Sequence, residues 1–163
     1  MKKLWRTALV VSLILSGAAM PAAGPDEVAT DPWRTDFEGA LKTAREEGRA
    51  VLLDFTGSDW CVWCHRLEDE VFTKQAFLDF ARERLVLVRL DFPRKTKLPD
   101  ELQAQNDALN DRFDVSGYPT VILLNGSGEE IGRLGYMQGG AKTFVRALKK
   151  FASDASEAKP PGG

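Results

Sequence analysis

Apolar residues recur along this chain in two rhythms, and the change from one to the other marks out its elements. Phe37, Ala40, Leu41 and Ala44 fall at helical spacing, Thr35 and Glu38 stand at capping-box distance, and Gly48 is placed to end the helix. Residues 51–55 are then a short, nearly continuous apolar run broken by Asp54, the pattern of an interior strand. Helical spacing returns with Leu67, Val71 and Phe72 after Cys61, and again with Phe77, Leu78 and Phe80, a segment for which Thr73 is the expected cap. Residues 85–90 form a second apolar strand, 93–99 a basic loop containing prolines, and 100–113 another helix. Residues 121–124 and 131–134 flank the turn sequence Asn125-Gly126-Ser127-Gly128, which predicts a hairpin. A last amphipathic helix uses Phe144, Val145, Leu148 and Phe151. The order is helix, strand, helix, strand, helix, strand, strand, helix, which implies an α/β fold with a mixed central sheet flanked by helices.

The two ends follow other rules. Lys2, Lys3 and Arg6 precede the apolar stretch 8–15, and the small residues 16–19 follow, so residues 1–19 read as a secretory signal peptide. No cysteine follows that stretch, so a lipid anchor is not indicated. Residues 20–34, with three prolines, form an extended lead-in; the domain occupies 35–152, and 153–163 are a polar, disordered tail with nothing to bury. Within 163 residues, 44% apolar and 28% charged residues suit one globular domain. Loss of the signal peptide removes basic residues only and leaves the mature chain more acidic than its formal net charge of −2, which argues against a nucleic-acid partner.

The two cysteines, Cys61 and Cys64, stand where the interior strand turns into a helix. A sulfur at a helix N-terminus meets unpaired backbone N–H groups and the positive end of the macrodipole, which favour thiolate over thiol. Cys61 is therefore the expected nucleophile, and Cys64, one turn further in, the residue that resolves a mixed disulfide. A purely structural disulfide suits this spacing poorly, because so small a loop constrains the unfolded chain little. Cys61-Val62-Trp63-Cys64-His65 also matches a c-type haem attachment pattern, with His65 and Met137 as axial ligands. The apolar strand and the hairpin have no place in a small helical cytochrome. Two cysteines and one histidine fall short of a zinc set.

Trp60-Cys61-Val62-Trp63-Cys64 after a strand, with Gly117-Tyr118-Pro119-Thr120 before a hairpin, resembles the thioredoxin superfamily over residues 36–151. Asp59-Trp60-Cys61-Val62, Gly135-Tyr136-Met137 and Thr143-Phe144 are most similar to the branch that includes the periplasmic thioredoxin-like domain of the disulfide reductase DsbD and small exported thioredoxin-like proteins. The resemblance implies a thioredoxin fold in which Pro119 is a cis-proline facing the dithiol and Tyr118 offers its backbone to a substrate strand. It also implies that Asp54 is the buried proton acceptor for Cys64, although the spacing to Cys61 is one residue longer than in thioredoxin, with Gly57-Ser58 as the apparent insertion. Thioredoxin's lysine partner for that aspartate has no match here, its position falling near Leu87. Trp60 is expected to shape the contact surface beside the nucleophile. His65, four residues after Cys61, is placed either to donate to the thiolate or to face solvent.

The expected function is an exported, periplasmic thiol:disulfide oxidoreductase that reduces, or isomerises, protein disulfides through Cys61 and Cys64. It needs no cofactor beyond the dithiol and is expected to act as a monomer. With a single dithiol it requires a membrane or periplasmic thiol donor for its electrons. Asp59, Glu68, Asp69 and Glu70 around the pair disfavour a very acidic thiolate and so a strong oxidant, while His65 and Arg66 pull the other way. The alternatives are a redox-inactive binding or chaperone module on the same fold and the haem carrier.

Overall fold

The computed structural model describes residues 31–157. The expected signal peptide, most of the lead-in and residues 158–163 lie outside the described residues. The elements are β1 (Trp33–Arg34), α1 (Phe37–Glu47), β2 (Ala50–Thr56), α2 (Val62–Leu67), a π-helical turn (Glu68–Phe72), α3 (Gln75–Arg84), β3 (Leu85–Asp91), α4 (Asp100–Arg112), β4 (Thr120–Leu124), β5 (Glu130–Leu134) and α5 (Gly140–Glu157). The sheet order is β1-β3-β2-β4-β5, with β3 parallel to both β1 and β2, and β4 antiparallel to β2 and β5. This is the thioredoxin fold.

Strands β2 and β3 are nearly continuously apolar because helices cover both faces of the sheet. Their side chains divide by parity. Val51, Leu53 and Phe55 of β2 and Val86, Val88 and Leu90 of β3 pack with Phe37, Ala40, Leu41, Leu109 and Phe113 from α1, α4 and the residue after α4. Leu52 of β2 and Leu85 and Leu87 of β3 face the other layer, with Leu67, Val71, Phe72, Phe77, Phe144 and Leu148. Asp54 and Arg89 share the parity of this second set, so both point to the face that carries the cysteine helix.

Local chemistry moves several boundaries. Asp36, not Thr35, caps α1: its carboxylate accepts from the Gly39 N–H at 3.1 Å, and a carboxylate satisfies that donor better than a hydroxyl. Gly48 ends α1 at φ 66°, a conformation that costs a side-chain-bearing residue energy. Thr73 does not cap the helix after it. It closes the π-helical turn, its N–H donating to the Glu68 carbonyl at 3.1 Å, and α3 starts after Lys74 with no side-chain cap. Of the residues expected inward there, Phe77 is fully buried while Leu78 and Phe80 are partly exposed. Helix α5 runs on to Glu157, past the expected start of the tail at 153, since Ala152, Ser153 and Ala155 hold no helix breaker and the first proline comes at 160. The Asn125 side chain accepts from the Ser127 and Glu129 N–H groups and Gly128 takes φ 82°, which closes the β4–β5 hairpin.

Phe144 joins the second layer together, its ring lying edge-on to Phe72 at 5.9 Å and to Phe77 at 6.5 Å with no exposed surface. Replacing Phe144 by Ala is expected to lower unfolding stability by about 3–5 kcal/mol, read from urea denaturation with an unchanged slope.

Candidate active site

Five residues, Gly57 to Cys61, lie between β2 and α2 and deliver the cysteines. Gly57 accepts at its carbonyl from the N–H of Trp60 (3.3 Å) and of Cys61 (2.9 Å), so the chain leaves the buried strand through a tight turn. Gly57 is needed there, because a Cβ at that position would meet the Trp60 indole. The turn is held from the far end of β3: the Ser58 N–H donates to Asp91 at 2.8 Å, and the Asp59 carboxylate accepts from the N–H groups of Arg94 (2.9 Å) and Lys95 (2.6 Å). Those bonds, the one to Arg94 first, hold the Asp59 carboxyl below its ordinary range.

Cys61 is the N-cap of α2, and its sulfur accepts from the Cys64 N–H at 3.2 Å. The same N–H also donates to the Cys61 carbonyl at 3.1 Å, so the first turn of the helix shares this donor between the two acceptors. The two cysteines form a disulfide with their Cα atoms 5.2 Å apart. They are about equally buried, 4% and 5% exposed, so helix position rather than depth separates them in this oxidised form. His65 is turned away from the sulfur: its Nε2 lies 2.7 Å from the Ser58 carbonyl, a contact that requires the proton on Nε2 because a carbonyl only accepts.

The rim around the pair is aromatic and uneven. Val62 is 70% and Trp63 51% exposed, the two exposed large hydrophobic residues among those described. Trp63 meets Tyr136 at 5.1 Å, and the Tyr136 hydroxyl donates to Glu70 at 2.7 Å. Trp60 is half-buried; its Nε1 donates to the Phe92 carbonyl at 2.8 Å, and its ring stands edge-on to Tyr118 at 5.8 Å. The Tyr118–Pro119 peptide bond is cis, Pro119 is buried, and the Tyr118 hydroxyl donates to Asn110 at 3.1 Å.

Asp54 is 3% exposed and its Oδ1 has no hydrogen-bond partner. Burial pushes its carboxyl from the ordinary 3.8 up to about 7, against the pull of the Arg89 guanidinium and with smaller upward pushes from Glu68 and Asp91. The strand register pairs Asp54 with Arg89, two residues beyond Leu87, the position expected for thioredoxin's lysine; Leu87 pairs with Leu52. Arg89 is shared. Its Nη2 donates to Glu68 at 2.7 Å, while its Nε lies 3.8 Å from Asp54, its Nη1 3.8 Å from Asp31, and its guanidinium 4.6 Å above Trp33. Glu68 is thus paired with Arg89, and Glu70 accepts from Tyr136 and lies 3.9 Å from Arg66. Arg89 escaped the sequence reading although a lone cation in the run Leu85–Asp91 was its signal; Tyr136 was noted there only as part of a motif.

A model of a family described as a thioredoxin-like domain matches residues 37–152. The disulfide bond reductase DsbH of Chlamydia pneumoniae is 31% identical over 82% of this chain and 80% of its own length. A solved DsbH oxidoreductase structure superposes with a TM-score of 0.73 at 30% identity, covering 85% of this chain and 95% of that one. The thiol:disulfide interchange protein DsbD 2 of Pseudomonas aeruginosa is 32% identical over 77% of this chain, which spans 20% of that longer protein.

A carboxyl whose folded value lies above its unfolded one lowers stability as pH rises: the unfolded chain ionises from about 3.8, the folded chain near 7. Asp54→Asn is therefore expected to raise stability at pH 8 relative to its effect at pH 4, by up to about 4 kcal/mol, with the rise complete just above pH 7. Denaturation of the oxidised wild type and variant across that range measures it; a difference that does not vary with pH removes the raised carboxyl from the account.

Proposed function

From the premise that this chain belongs to the thioredoxin-like family, we propose that it is an exported thiol:disulfide oxidoreductase that works in the reducing direction on protein disulfides. The observation that carries the reading is the placement of Cys61 as the N-cap of α2, its sulfur already accepting the Cys64 N–H while Cys64 lies within disulfide reach. The name of its relative DsbH, a disulfide bond reductase, points the same way. Export, a periplasmic location and action as a monomer belong to this proposal and rest on the sequence of the first 19 residues and on the family.

In the reduced protein the Cys61 thiolate attacks one sulfur of a substrate disulfide, forming a mixed disulfide and releasing the other sulfur as a thiolate. Cys64 then loses its proton and attacks the Cys61 sulfur. The substrate's second thiol leaves, the Cys61–Cys64 disulfide forms, and two electrons have passed to the substrate. A buried carboxyl near 7, on the sheet face that carries α2, has the proton affinity for a general base towards Cys64, and that role is assigned to Asp54. Trp60, Tyr118 and Pro119 form the substrate-contacting side, where an extended segment pairs with the backbone at Tyr118. A membrane or periplasmic thiol donor restores the dithiol.

Reduction of insulin in the presence of a thiol donor tests the activity. The wild type is expected to accelerate it and Cys61→Ser to abolish the acceleration. Cys64→Ala should accumulate mixed disulfides with client proteins on non-reducing gels, and Cys61→Ala should not. Equal trapping by both variants contradicts the assignment of the nucleophile, and insulin reduction no faster than with the donor alone removes the enzymatic reading in favour of a binding module.

A further inference from the structure

The loop after β3 carries Arg94, Lys95 and Lys97, a basic run in an acidic chain. It is fastened to the active-site turn by its backbone, since Asp59 takes the N–H groups of Arg94 and Lys95. The side chains of those two residues are left exposed. Among the described residues, Arg49, Arg66, Arg82, Arg89, Lys97 and Arg133 have a carboxylate within ion-pair distance, and the Arg94 and Lys95 side chains do not. The Arg94 guanidinium instead lies 3.6 Å from the centre of the Trp60 ring, a cation–π stack that holds it beside the residue preceding Cys61. Lys97 is offset by Asp100, while the Asp59 and Asp91 carboxylates are turned to the N–H groups of Arg94 and Lys95 and to Ser58, so the exposed side chains at this edge are the cationic ones of Arg94 and Lys95.

We propose that Arg94 and Lys95 form a cationic recognition edge on the Trp60 side of the dithiol, and that it selects protein disulfides flanked by acidic residues. The proposal rests on the oxidoreductase reading of Cys61 and Cys64 and adds the class of substrate. The Trp60 stack preorganises the Arg94 charge, so little side-chain freedom is lost when a carboxylate meets it. Lys95 adds an exposed charge one residue away. Charges at this edge act chiefly on encounter with the substrate, and salt screens them.

The test uses the fully reduced protein in single-turnover reduction of two disulfide-linked peptides that differ only in Glu or Lys beside the cysteine, with hydroxyethyl disulfide as a neutral substrate. At low ionic strength the wild type is expected to reduce the Glu-flanked peptide about ten times faster than the Lys-flanked one, a preference that falls towards unity near 0.5 M salt. Arg94→Gln and Lys95→Gln should each lower the preference about threefold, Arg94→Lys should retain most of it, and the rate with hydroxyethyl disulfide should stay unchanged in all three. A wild-type preference near unity at low salt overturns the proposal, as does one that survives both glutamine variants or a loss shared by the neutral disulfide. Reduction of the neutral disulfide without preference between the peptides leaves the oxidoreductase reading standing and removes only the recognition edge, whereas reduction of none of the three removes both.

Discussion

One carboxyl group placed where water cannot reach it, that of Asp54, sets the terms on which the charged residues behind the dithiol are arranged. Asp54 lies in a strand covered on both faces, with one oxygen unpartnered and the other facing a guanidinium that is closer to Glu68. Full pairing with Arg89 would hold it ionised and make it a poor base. The division of Arg89 among Asp54, Glu68 and Asp31, with Trp33 against its face, leaves enough positive potential to tolerate the group and too little to lower it to the ordinary range. The same arrangement ties elements distant in sequence, β1, β2, β3 and the π-helical turn, to one proton.

Around that centre the strand-to-helix turn shows how a mobile chemistry is kept on a rigid mount. Backbone and carboxylate bonds from the end of β3 and the loop beyond it hold Ser58 and Asp59, and His65 reaches back from α2 to the Ser58 carbonyl. The sulfurs are thus presented by a turn held from β3, from the loop beyond it and from α2. The rim is built differently. Trp60 is fixed by a hydrogen bond and ring contacts, while Val62 and Trp63 stand exposed, with Trp63 held by ring contacts alone.

Much of this was legible in the chain because it depends on short-range patterns. The alternation of helical and strand rhythms located the principal elements, the Asn-Gly-Ser-Gly turn located the hairpin, and the two cysteines at a strand-to-helix junction pointed to the dithiol. The features that were missed depend on partners far away in sequence. Two residues, Trp33 and Arg34, become a strand only because β3 lies beside them. Arg89 acquires its meaning from the strand register with Asp54, a quantity no local window contains. The caps shifted by one residue, from Thr35 to Asp36 and from Thr73 to Lys74, because neighbouring polar residues compete for the same donors and the π-helical turn takes up an extra residue.

That extra residue has a consequence for how the chain tolerates change. In the turn Glu68–Phe72 the Thr73 N–H reaches back five positions, so the segment winds more slowly than α2 and sets where the chain leaves for the extended Lys74 and α3. Asp69 is exposed there, and its identity is open to replacement. Its deletion is another matter: one residue fewer shortens the path to the extended Lys74 and α3 and pulls Phe77 away from Phe72 and Phe144. At Asp69 length is the constrained quantity and side-chain identity the free one, whereas Glu68, Glu70, Val71 and Phe72 around it are each held by a partner or by the core.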